Sequence, residues 1–296
     1  MSQLKKQQGV ALLTILIMVV LATILAMSIL KAQQQTLDET KLLMRQDQAF
    51  LYVQSAEYFF FVLLDQDVEN NDIDHLGETW AQPFPLFPVE DGYISGQMYD
   101  EHNKFNLNTL LKADGTVNEV AVEFFKQLLQ RLELNPELVE TFIDWQDADE
   151  DTVGAMGAEN SYYRGVKAGY LAPNQMFTSI QQVQWLRGVD RDMYQRLKPY
   201  ITALPSRDTK MNLNTVDALL LACLNEQLDV VSIQNLLAQK KQNLEYLTQF
   251  DELVTQAPFD RIDPQQLKRY GSLFGGASQY FRAEIIVNLS ERRRVM

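Results

Sequence analysis

The fold is decided near the N-terminus, where residues 5–13 read Lys5-Lys6-Gln7-Gln8-Gly9-Val10-Ala11-Leu12-Leu13. Two lysines and a glycine precede an apolar run, and residues 10–30 contain no charged side chain. As a helix this run covers roughly 31 Å at ~1.5 Å per residue, enough to cross a hydrocarbon core of ~30 Å. The stretch therefore predicts one transmembrane helix at the start of the chain.

The charges on either side of the apolar run predict its orientation. Lys5 and Lys6 precede the run, whereas Lys31 is soon followed by Asp38 and Glu39. Because positive charge is retained on the cytoplasmic side, the N-terminus is expected in the cytoplasm and the bulk of the chain outside it. In a bacterium this corresponds to a single-pass inner-membrane protein with a periplasmic head.

Three interpretations of this N-terminus compete. A secretory signal peptide has a shorter apolar stretch and a small-x-small cleavage site, for which Ala26-Met27-Ser28 is a poor match. A plain transmembrane anchor fits the length but gives no role to Gly9. In the third interpretation a leader is cut after Gly9, and the mature chain begins at Val10 and keeps its helix. This pattern resembles the class III leader of type IV prepilins and type II secretion pseudopilins, which a prepilin peptidase cleaves after the glycine; an N-methylated Val10 is expected.

The helix is expected to continue far beyond the membrane. No Gly or Pro occurs between Val10 and Leu76, and good helix formers dominate the segment. A helix from Val10 to about Leu64 would be roughly 80 Å long. Its outer half becomes amphipathic, with Leu37, Met44, Leu51 and Phe59 predicted to pack on a globular head.

The fifth residue after Gly9 is Thr14, where most pilins and pseudopilins carry glutamate. A carboxylate inside the bilayer costs a few kcal/mol unless it is paired. In the related proteins that glutamate is thought to pair with the terminal amine of a neighbouring subunit. Thr14 therefore indicates a subunit with no neighbour above it, at the tip of a fibre.

Composition narrows the functions that the head can have. The formal net charge of −13 argues against nucleic acid as a partner, because phosphate binding needs a basic face. Cys223 is the only cysteine and lies in a leucine-rich run, so a buried, unreactive thiol is expected. The sequence offers no Ser/His/Asp grouping and no glycine-rich phosphate loop, so a structural subunit is a better interpretation than an enzyme.

The head itself is predicted as an α+β domain. Residues 91–106 and 278–289 alternate between apolar and polar residues and predict strands of a small antiparallel sheet. The segments between them predict helices, and the large all-α insertion they form interrupts the sheet. The predicted helices are Val117–Leu132, Pro136–Trp145, Ile180–Leu186, Arg191–Leu197, Val216–Glu226, Ser232–Lys241 and Leu244–Val254.

An internal repeat lies in the insertion: Asn106-Leu107-Asn108-Thr109 returns as Asn212-Leu213-Asn214-Thr215. Asn and Thr cap helices through side-chain oxygens, which explains the repeat structurally. The same residues open helix-hairpin-helix modules of DNA-binding proteins. In an acidic chain outside the cytoplasm, reuse of a helix-hairpin-helix or SAM-like fold for protein contacts is the better interpretation.

Acidic residues cluster in Asp144-Trp145-Gln146-Asp147-Ala148-Asp149-Glu150-Asp151, and Glu159 returns after a glycine-containing loop. Carboxylates and loop carbonyls are the oxygen ligands that Ca²⁺ takes. The run is not an EF-hand, because Thr152 and Ala158 stand where that loop needs Gly and Glu. A solvated charged loop is the simpler alternative. Because aromatic residues flank the acids, we favour an ordered calcium site with candidate ligands Asp144, Asp147, Asp149, Asp151 and Glu159.

Taken together, these features are similar to the minor pseudopilin K family of the bacterial type II secretion system. The resemblance rests on the Gly9 leader, the absent glutamate at Thr14, the Asn-Leu-Asn repeat, the stretch from Ile143 to Tyr163, and the closing strand. It implies a pilin-like core with an inserted calcium-binding helical domain. It also implies a tip complex with minor pseudopilins I and J, and a pseudopilus that moves folded proteins through the outer membrane. A minor pilin of a type IV pilus is the alternative.

This resemblance also predicts partners and boundaries. Prepilin peptidase and other pseudopilus and inner-membrane assembly components are expected as partners, and nucleic acid is not. The predicted segments are a cleaved leader (1–9), the transmembrane part of the helix (10–30), a periplasmic helix with the first part of the sheet (31–106), the inserted helical domain with two repeat modules (107–275), and a C-terminal strand and tail (276–296).

Overall fold

The computed structural model describes residues 8–167, 169–289 and 292–295. Helix α1 runs from Gln8 to Asn70, somewhat further than the sequence predicts. It contains an 18-residue window of mean hydropathy 2.9 and is the one helix, among the described residues, that is long and apolar enough to cross a membrane. The predicted leader covers residues 1–9, of which residues 1–7 lie outside the described part of the chain.

The outer half of α1 is covered on a different face from the predicted one. Leu37, Met44 and Leu51 are 58%, 67% and 60% exposed, and Phe59 is 41% exposed, whereas Ala49 is buried. The prediction that Leu37, Met44 and Leu51 pack on the head was therefore wrong. Phe59 does pack as predicted, because its ring lies edge to face 5.0 Å from that of Phe84. Apolar residues occur on more than one face of this stretch, so periodicity could not identify the covered face.

A four-stranded sheet has the order β1-β2-β7-β8, with strands β1 (Phe84–Val89), β2 (Gly92–Asp100), β7 (Phe281–Leu289) and β8 (Arg292–Val295). The turn between the first two strands includes Asp91 at φ +66°, in the left-handed region where Asp is tolerated. The pair β7–β8 is antiparallel, with Ile286 opposite Val295. Both predicted strand regions are confirmed, and so is the α+β class.

Two compact units divide the chain. The first comprises Met1–Tyr58, Leu86–Ser95 and Ile285–Met296, and the second comprises Phe59–Pro85 and Gly96–Glu284. The second unit therefore begins and ends outside the insertion predicted at residues 107–275. It holds the continuous apolar core, in which Phe105 stacks on Phe124 and Phe125.

Short helices make up most of the second unit. The α-helices after α1 are α2 (Glu119–Arg131), α3 (Val139–Asp144), α4 (Asn160–Gly165), α5 (Arg191–Leu197), α6 (Ala218–Ala222), α7 (Val230–Asn243), α8 (Phe250–Val254) and α9 (Pro264–Lys268). Six 3-10 helices join them, at Glu101–Asn103, Leu107–Leu110, Pro136–Leu138, Ile180–Trp185, Phe259–Arg261 and Gly271–Leu273. The sequence predicted the other α-helices after α1 but not α4, α9 or four of the 3-10 helices, and the predicted helix Leu244–Val254 begins only at Phe250 because Leu244 is the left-handed cap that ends α7. Helix α6 contributes to a buried site for Cys223, where burial raises the thiol pKa to about 12, as expected for an unreactive cysteine.

The internal repeat opens two modules, which we call the first module (residues 104–202) and the second module (residues 210–275). Each begins with a two-residue strand that pairs in parallel with a strand at the module's end. In the first module β3 (Phe105–Asn106) pairs with β4 (Ile201–Thr202). In the second, β5 (Met211–Asn212) pairs with β6 (Phe274–Gly275).

The side chain of the second asparagine of each repeat bonds both backbone groups of one residue in a distant loop. We call this pair of bonds the clamp. Asn108 Nδ2 donates to Phe177 O (2.9 Å), and Phe177 N donates to Asn108 Oδ1 (2.7 Å). Asn214 repeats both bonds with Leu247, at 3.0 and 2.7 Å. The first asparagine caps locally: Asn106 Oδ1 accepts from the Asn108 amide, as the capping interpretation predicted. The repeat is thus a duplicated structural device.

Candidate metal centre

Two short helices bring the acidic residues together. Asp144 is the last residue of α3, which directly continues the 3-10 helix Pro136–Leu138. That 3-10 helix is capped by Asn135 and has proline at its first position. Asp147 lies in the turn beyond α3, where its amide donates to Ile143 O (3.0 Å). Glu159 stands immediately before α4 at the other end of the loop. Asp144 and Glu159 are 0% and 1% exposed, which is rare for carboxylates.

Glycines allow the loop between the two helices to lie against α3. Gly154 has φ +63°, and a Cβ there would lie 2.1 Å from a carboxylate oxygen of Glu140. A Cβ on Gly157 would lie 2.5 Å from Asp144 Oδ2. Glu140 Oε2 also accepts a hydrogen bond from the amide of Met156 (2.7 Å). The loop geometry therefore depends on two glycines and on Glu140, one helical turn before Asp144.

These residues were not among the predicted functional ones. Glu140 and Asp144 are four apart and so share a helix face, a spacing that could have indicated a shared role. The glycine positions need the loop path, which the sequence does not specify.

Three carboxylates converge at the centre. One oxygen each from Asp144, Asp147 and Glu159 lie within 4.8 Å of one another. Asp144 Oδ1 accepts from the Val153 amide (3.0 Å), but Asp144 Oδ2, Asp147 Oδ1 and both Glu159 oxygens are buried without a hydrogen-bond partner. Buried oxygens left without a donor cost free energy, so the arrangement needs either protons or a cation.

The pKa values of the Asp144, Asp147 and Glu159 carboxyls are raised, as expected for buried acids with few donors. Burial, followed by repulsion from neighbouring acids, raises the pKa of Glu159 to about 8 and that of Asp147 to about 7. Burial likewise raises the pKa of Asp144 to about 6, although amide donors from Val153 and Ala158 oppose the shift. The group therefore resists becoming fully ionised near neutral pH unless positive charge is supplied.

The other two predicted ligands lie outside this group. Asp149 and Asp151 are exposed, and Asp149 Oδ1 accepts from the amide of Asp151 (2.8 Å) within the turn. Asn174 Nδ2 donates to the carbonyl oxygen of Asp149 (3.1 Å). Both residues thus shape the outer edge of the loop, while Asp144, Asp147 and Glu159 form its centre.

The donor set suits a hard divalent cation. Ca²⁺ is bound by oxygen ligands, carboxylates above all, in a flexible geometry that tolerates additional carbonyls or waters. The described group contains only carboxylate oxygens, with neither thiol nor imidazole, which is unlike a zinc site. The four orphaned oxygens are the positions that such a cation would satisfy.

Aromatic residues next to the three carboxylates, together with Arg187, form a packed frame around the loop. Trp145 and Tyr163 meet edge to face with ring centroids 5.4 Å apart. The Tyr163 hydroxyl accepts from the amide of Arg187 (3.3 Å), and the Arg187 guanidinium donates to the carbonyl oxygen of Gly157 (2.9 Å). This frame orders the loop, as the flanking aromatic residues predicted.

A second acidic group, missed by the sequence analysis, consists of Asp67, Asp74 and Glu78. Two of its members accept from protein donors: Glu78 Oε2 from Trp80 Nε1 (2.7 Å), and Asp74 Oδ2 from the Ser278 amide (2.7 Å). Burial raises the pKa of both Asp67 and Asp74 to about 6. The sequence carries a signal for this group, because residues 65–78 contain six acidic side chains.

The residues predicted to matter for processing and tip placement lie on α1. Gly9 and Val10 belong to its first turn. Thr14 is exposed, and its hydroxyl donates to Ala11 O (2.9 Å), so the helix itself satisfies this polar group in an apolar segment. A hydroxyl bonded in this way needs no partner from another chain.

Comparison with known proteins gives consistent matches. A family profile described as type II secretion system (T2SS), protein K matches residues 103–206. The chain is 31% identical to type II secretion system protein K of Aeromonas hydrophila, over 99% of this chain and 92% of that protein. It is 29% identical to the protein of the same name from Pseudomonas aeruginosa, over 98% of this chain and 87% of the relative.

A solved structure is similar in fold. It belongs to the GspK-GspI-GspJ complex of the enterotoxigenic Escherichia coli type 2 secretion system, with a TM-score of 0.76 and 24% sequence identity. The similarity covers 87% of this chain and 91% of that one.

Proposed function

The chain belongs to the type II secretion system protein K family of minor pseudopilins, and we propose that it caps the tip of a periplasmic pseudopilus and helps to export folded proteins across the outer membrane. Its role is structural rather than catalytic. The relatives are named for type II secretion, which favours this role over that of a minor pilin in a type IV pilus.

The proposed location is the inner membrane, with a single span, a cytoplasmic N-terminus and a periplasmic head. The apolar part of α1 supports the span, and Lys5 and Lys6 support the orientation. Cleavage by prepilin peptidase after Gly9 would leave Val10 as the first residue, with an N-methylated amine.

The observation that carries the assembly role is an exposed apolar face on α1 beyond the membrane. Leu37, Met44, Leu51 and Tyr58 follow one another at seven-residue spacing and are 58–70% exposed. At about 100° per residue they form one row, on the side of the helix away from buried Ala49. A heptad row of this kind is what a parallel partner helix needs.

The partners that fit this row are minor pseudopilins I and J. The structurally similar protein comes from a complex with components of those letters. Their membrane helices would emerge from the same bilayer beside α1, which favours parallel packing along the row. Other pseudopilus and inner-membrane assembly components complete the proposed set of partners.

Thr14 supports the position at the tip. A glutamate within the span would need a pairing amine from a neighbouring subunit, whereas the Thr14 hydroxyl is satisfied by Ala11 O. A subunit with this residue can occupy a position where no neighbour lies above it.

Calcium is proposed as a structural cofactor of the head. Asp144, Asp147 and Glu159 would hold the ion, and Asp149 and Asp151 remain proposed contributors from the outer edge of the loop. The bound cation would supply the charge that lets the three buried carboxylates ionise together.

The assembly role is tested by placing a charge in the exposed row. Leu51→Asp should reduce the amount of I and J proteins that co-purify with the full chain at least roughly tenfold, because a buried unpaired charge in a helix interface costs several kcal/mol. The matched control is Gln35→Asp, an exposed position about 160° away around the helix. Equal recovery of partners with both variants would refute packing along this row.

A further inference from the structure

The duplicated clamp has different surroundings in the two modules. In the first, residues at the end of α3 fill the space beside the clamp. Gln146 Nε2 donates to the carbonyl oxygen of Leu107 (3.1 Å), between the two clamp asparagines. The ring of Trp145 stacks on Phe177, the clamped residue, with centroids 6.3 Å apart. An aromatic side chain flanked by acids thus packs against the first clamp.

In the second module the equivalent residues border a cleft. Leu213 corresponds to Leu107, and Leu247 corresponds to Phe177 through the clamp bonds of Asn214. Both line a cavity of about 190 Å³. Apolar walls are completed by Val216, Leu237 and Tyr246, and exposed Leu76 stands at the opening.

The walls of this cleft are fixed in place. Tyr246 stacks on His75 with ring centroids 3.3 Å apart and planes 4° from parallel. The clamp of Asn214 holds the backbone of Leu247 at both its amide and its carbonyl. A preformed cleft binds without the cost of ordering its walls.

The volume of the cleft limits the size of the group that can bind in it. Cofactor and drug-sized sites measure roughly 300–1,000 Å³. A dry cavity of about 150 Å³ accepts benzene. A cleft of about 190 Å³ therefore suits one aromatic side chain, the same kind of group that Trp145 supplies in the first module.

The charge at the edge of the cleft indicates which kind of residue would lie next to the bound aromatic side chain. The Lys240 side chain is only 12% exposed, and its ammonium forms an ion pair at 3.7 Å with Glu245 Oε2, which lies at the same edge. Lys241 lines the same edge and is exposed. Two lysines and one glutamate leave one net positive charge at this edge, which on a chain of net charge −13 favours a carboxylate near the bound ring.

We propose that this cleft binds an aromatic side chain of another protein, presented within a few residues of an aspartate or glutamate. The partner segment would occupy the space beside the second clamp, as residues 144–147 do beside the first. Aromatic anchors in preformed pockets are the usual centres of protein interfaces. The cleft is formed by the second module together with residues 75–77, and it does not depend on the position of the chain in a fibre.

The test is photo-crosslinking from the edge of the cleft in cells that contain the complete secretion system. Lys241 in the full chain is replaced by a diazirine analogue of lysine, which keeps the length of the side chain. The same analogue at Lys268, an exposed lysine on α9 outside the cleft, is the control. We expect a crosslinked peptide of another protein with Phe, Tyr or Trp within three residues of Asp or Glu, at least tenfold above the control.

Filling the cleft must then remove the crosslink. Ala238 lines the cleft from α7 and is exposed, so Ala238→Trp can place a ring in the cavity without disturbing the core. We expect the crosslink to fall at least tenfold with Ala238→Trp and to persist with Ala238→Gln, while Lys240→Ala reduces it severalfold and so tests the charge separately. The proposal is overturned by a crosslink no stronger than the Lys268 control, by a peptide without the aromatic-acid pair, by a second copy of this chain as the partner, or by persistence in Ala238→Trp.

Discussion

The first and second modules place an asparagine at the same point and use it for the same two backbone bonds, to Phe177 in one and to Leu247 in the other. Beside the first clamp lie Trp145 and Gln146 and, through them, the acidic loop. Beside the second lies a cleft with lysines at its edge. The comparison indicates that the clamp is the common scaffold, and that the two modules differ in the segment packed beside it.

The largest effect is expected from removing the clamps themselves. Asn108 is fully buried, and its amide also donates to Leu204 O (2.8 Å), whereas Asn214 is only partly buried. Because each buried backbone group left without a partner costs ~1–3 kcal/mol, Asn108→Ala should lower the free energy of unfolding by about 4 kcal/mol and Asn214→Ala by about 2 kcal/mol. Urea denaturation of the full chain in detergent micelles measures both. Equal losses would mean that the two clamps do not differ in their surroundings.

A smaller effect is expected at the loop that only the first module has. Gly154→Ala should cost about 2 kcal/mol, because it combines strain at φ +63° with a clash against the Glu140 carboxylate. Gly115→Ala is the matched control: its φ is +83°, but no atom lies within 4 Å of the new methyl group. The control should cost only about 1 kcal/mol, and it should leave calcium affinity unchanged while Gly154→Ala weakens it. Identical behaviour of the two variants would show that the contact with Glu140 is unimportant.

These contrasts also show what the sequence could and could not predict. The long apolar helix, the strand ending at Leu289 and the repeat were predictable, because periodicity, charge and local capping act between residues near one another in sequence. The two-sided bonding of Asn108 and Asn214 was not, since Phe177 and Leu247 are far along the chain. The side of α1 that is covered was mispredicted for a similar reason, because it depends on packing.

The candidate site was predicted to the level of its loop. Asp144, Asp147 and Glu159 meet, whereas the sequence also offered Asp149 and Asp151 as candidate ligands, and calcium binding stays a prediction. The sequence pattern does not distinguish Asp147 from Asp149 and Asp151 as a candidate ligand. Burial distinguishes them, and burial is set by Trp145, Tyr163 and the path of the loop.

The smallest effect concerns the second acidic group, in which Asp74 and Glu78 accept hydrogen bonds from protein donors. Burial raises the folded-state pKa of Asp67 to about 6, so its protonated form favours the folded state, and this stability is lost as pH rises from about 4 to above 6. Asp67→Asn should therefore stabilise the head at pH 8 by less than about 1 kcal/mol, since the residue is partly exposed and solvent screens it. The gain should vanish at pH 4. Calcium-dependent melting should be the same as in wild type, and a loss of that dependence would mean that this group also holds the ion.

The measurement that tests the account most directly is thermal unfolding of the full chain with millimolar Ca²⁺ and with chelator, at pH 8 and at pH 5.5. Without metal, the raised pKa values of Asp144, Asp147 and Glu159 mean that folded-state stability falls as pH rises from about 4 to about 8. Calcium should therefore stabilise most at pH 8, by on the order of 2.7 kcal/mol at a hundredfold excess over Kd, or about 5–10 °C in Tm.

At pH 5.5 the gain should be much smaller, because protons compete for the same oxygens. Mg²⁺ should substitute poorly, because it demands tight octahedral geometry. Glu159→Gln should abolish most of the shift at pH 8, and Asp208→Asn, at an exposed acid outside the loop, should leave it intact. Melting curves that are the same with Ca²⁺ and with chelator at pH 8 would contradict a calcium-held first module.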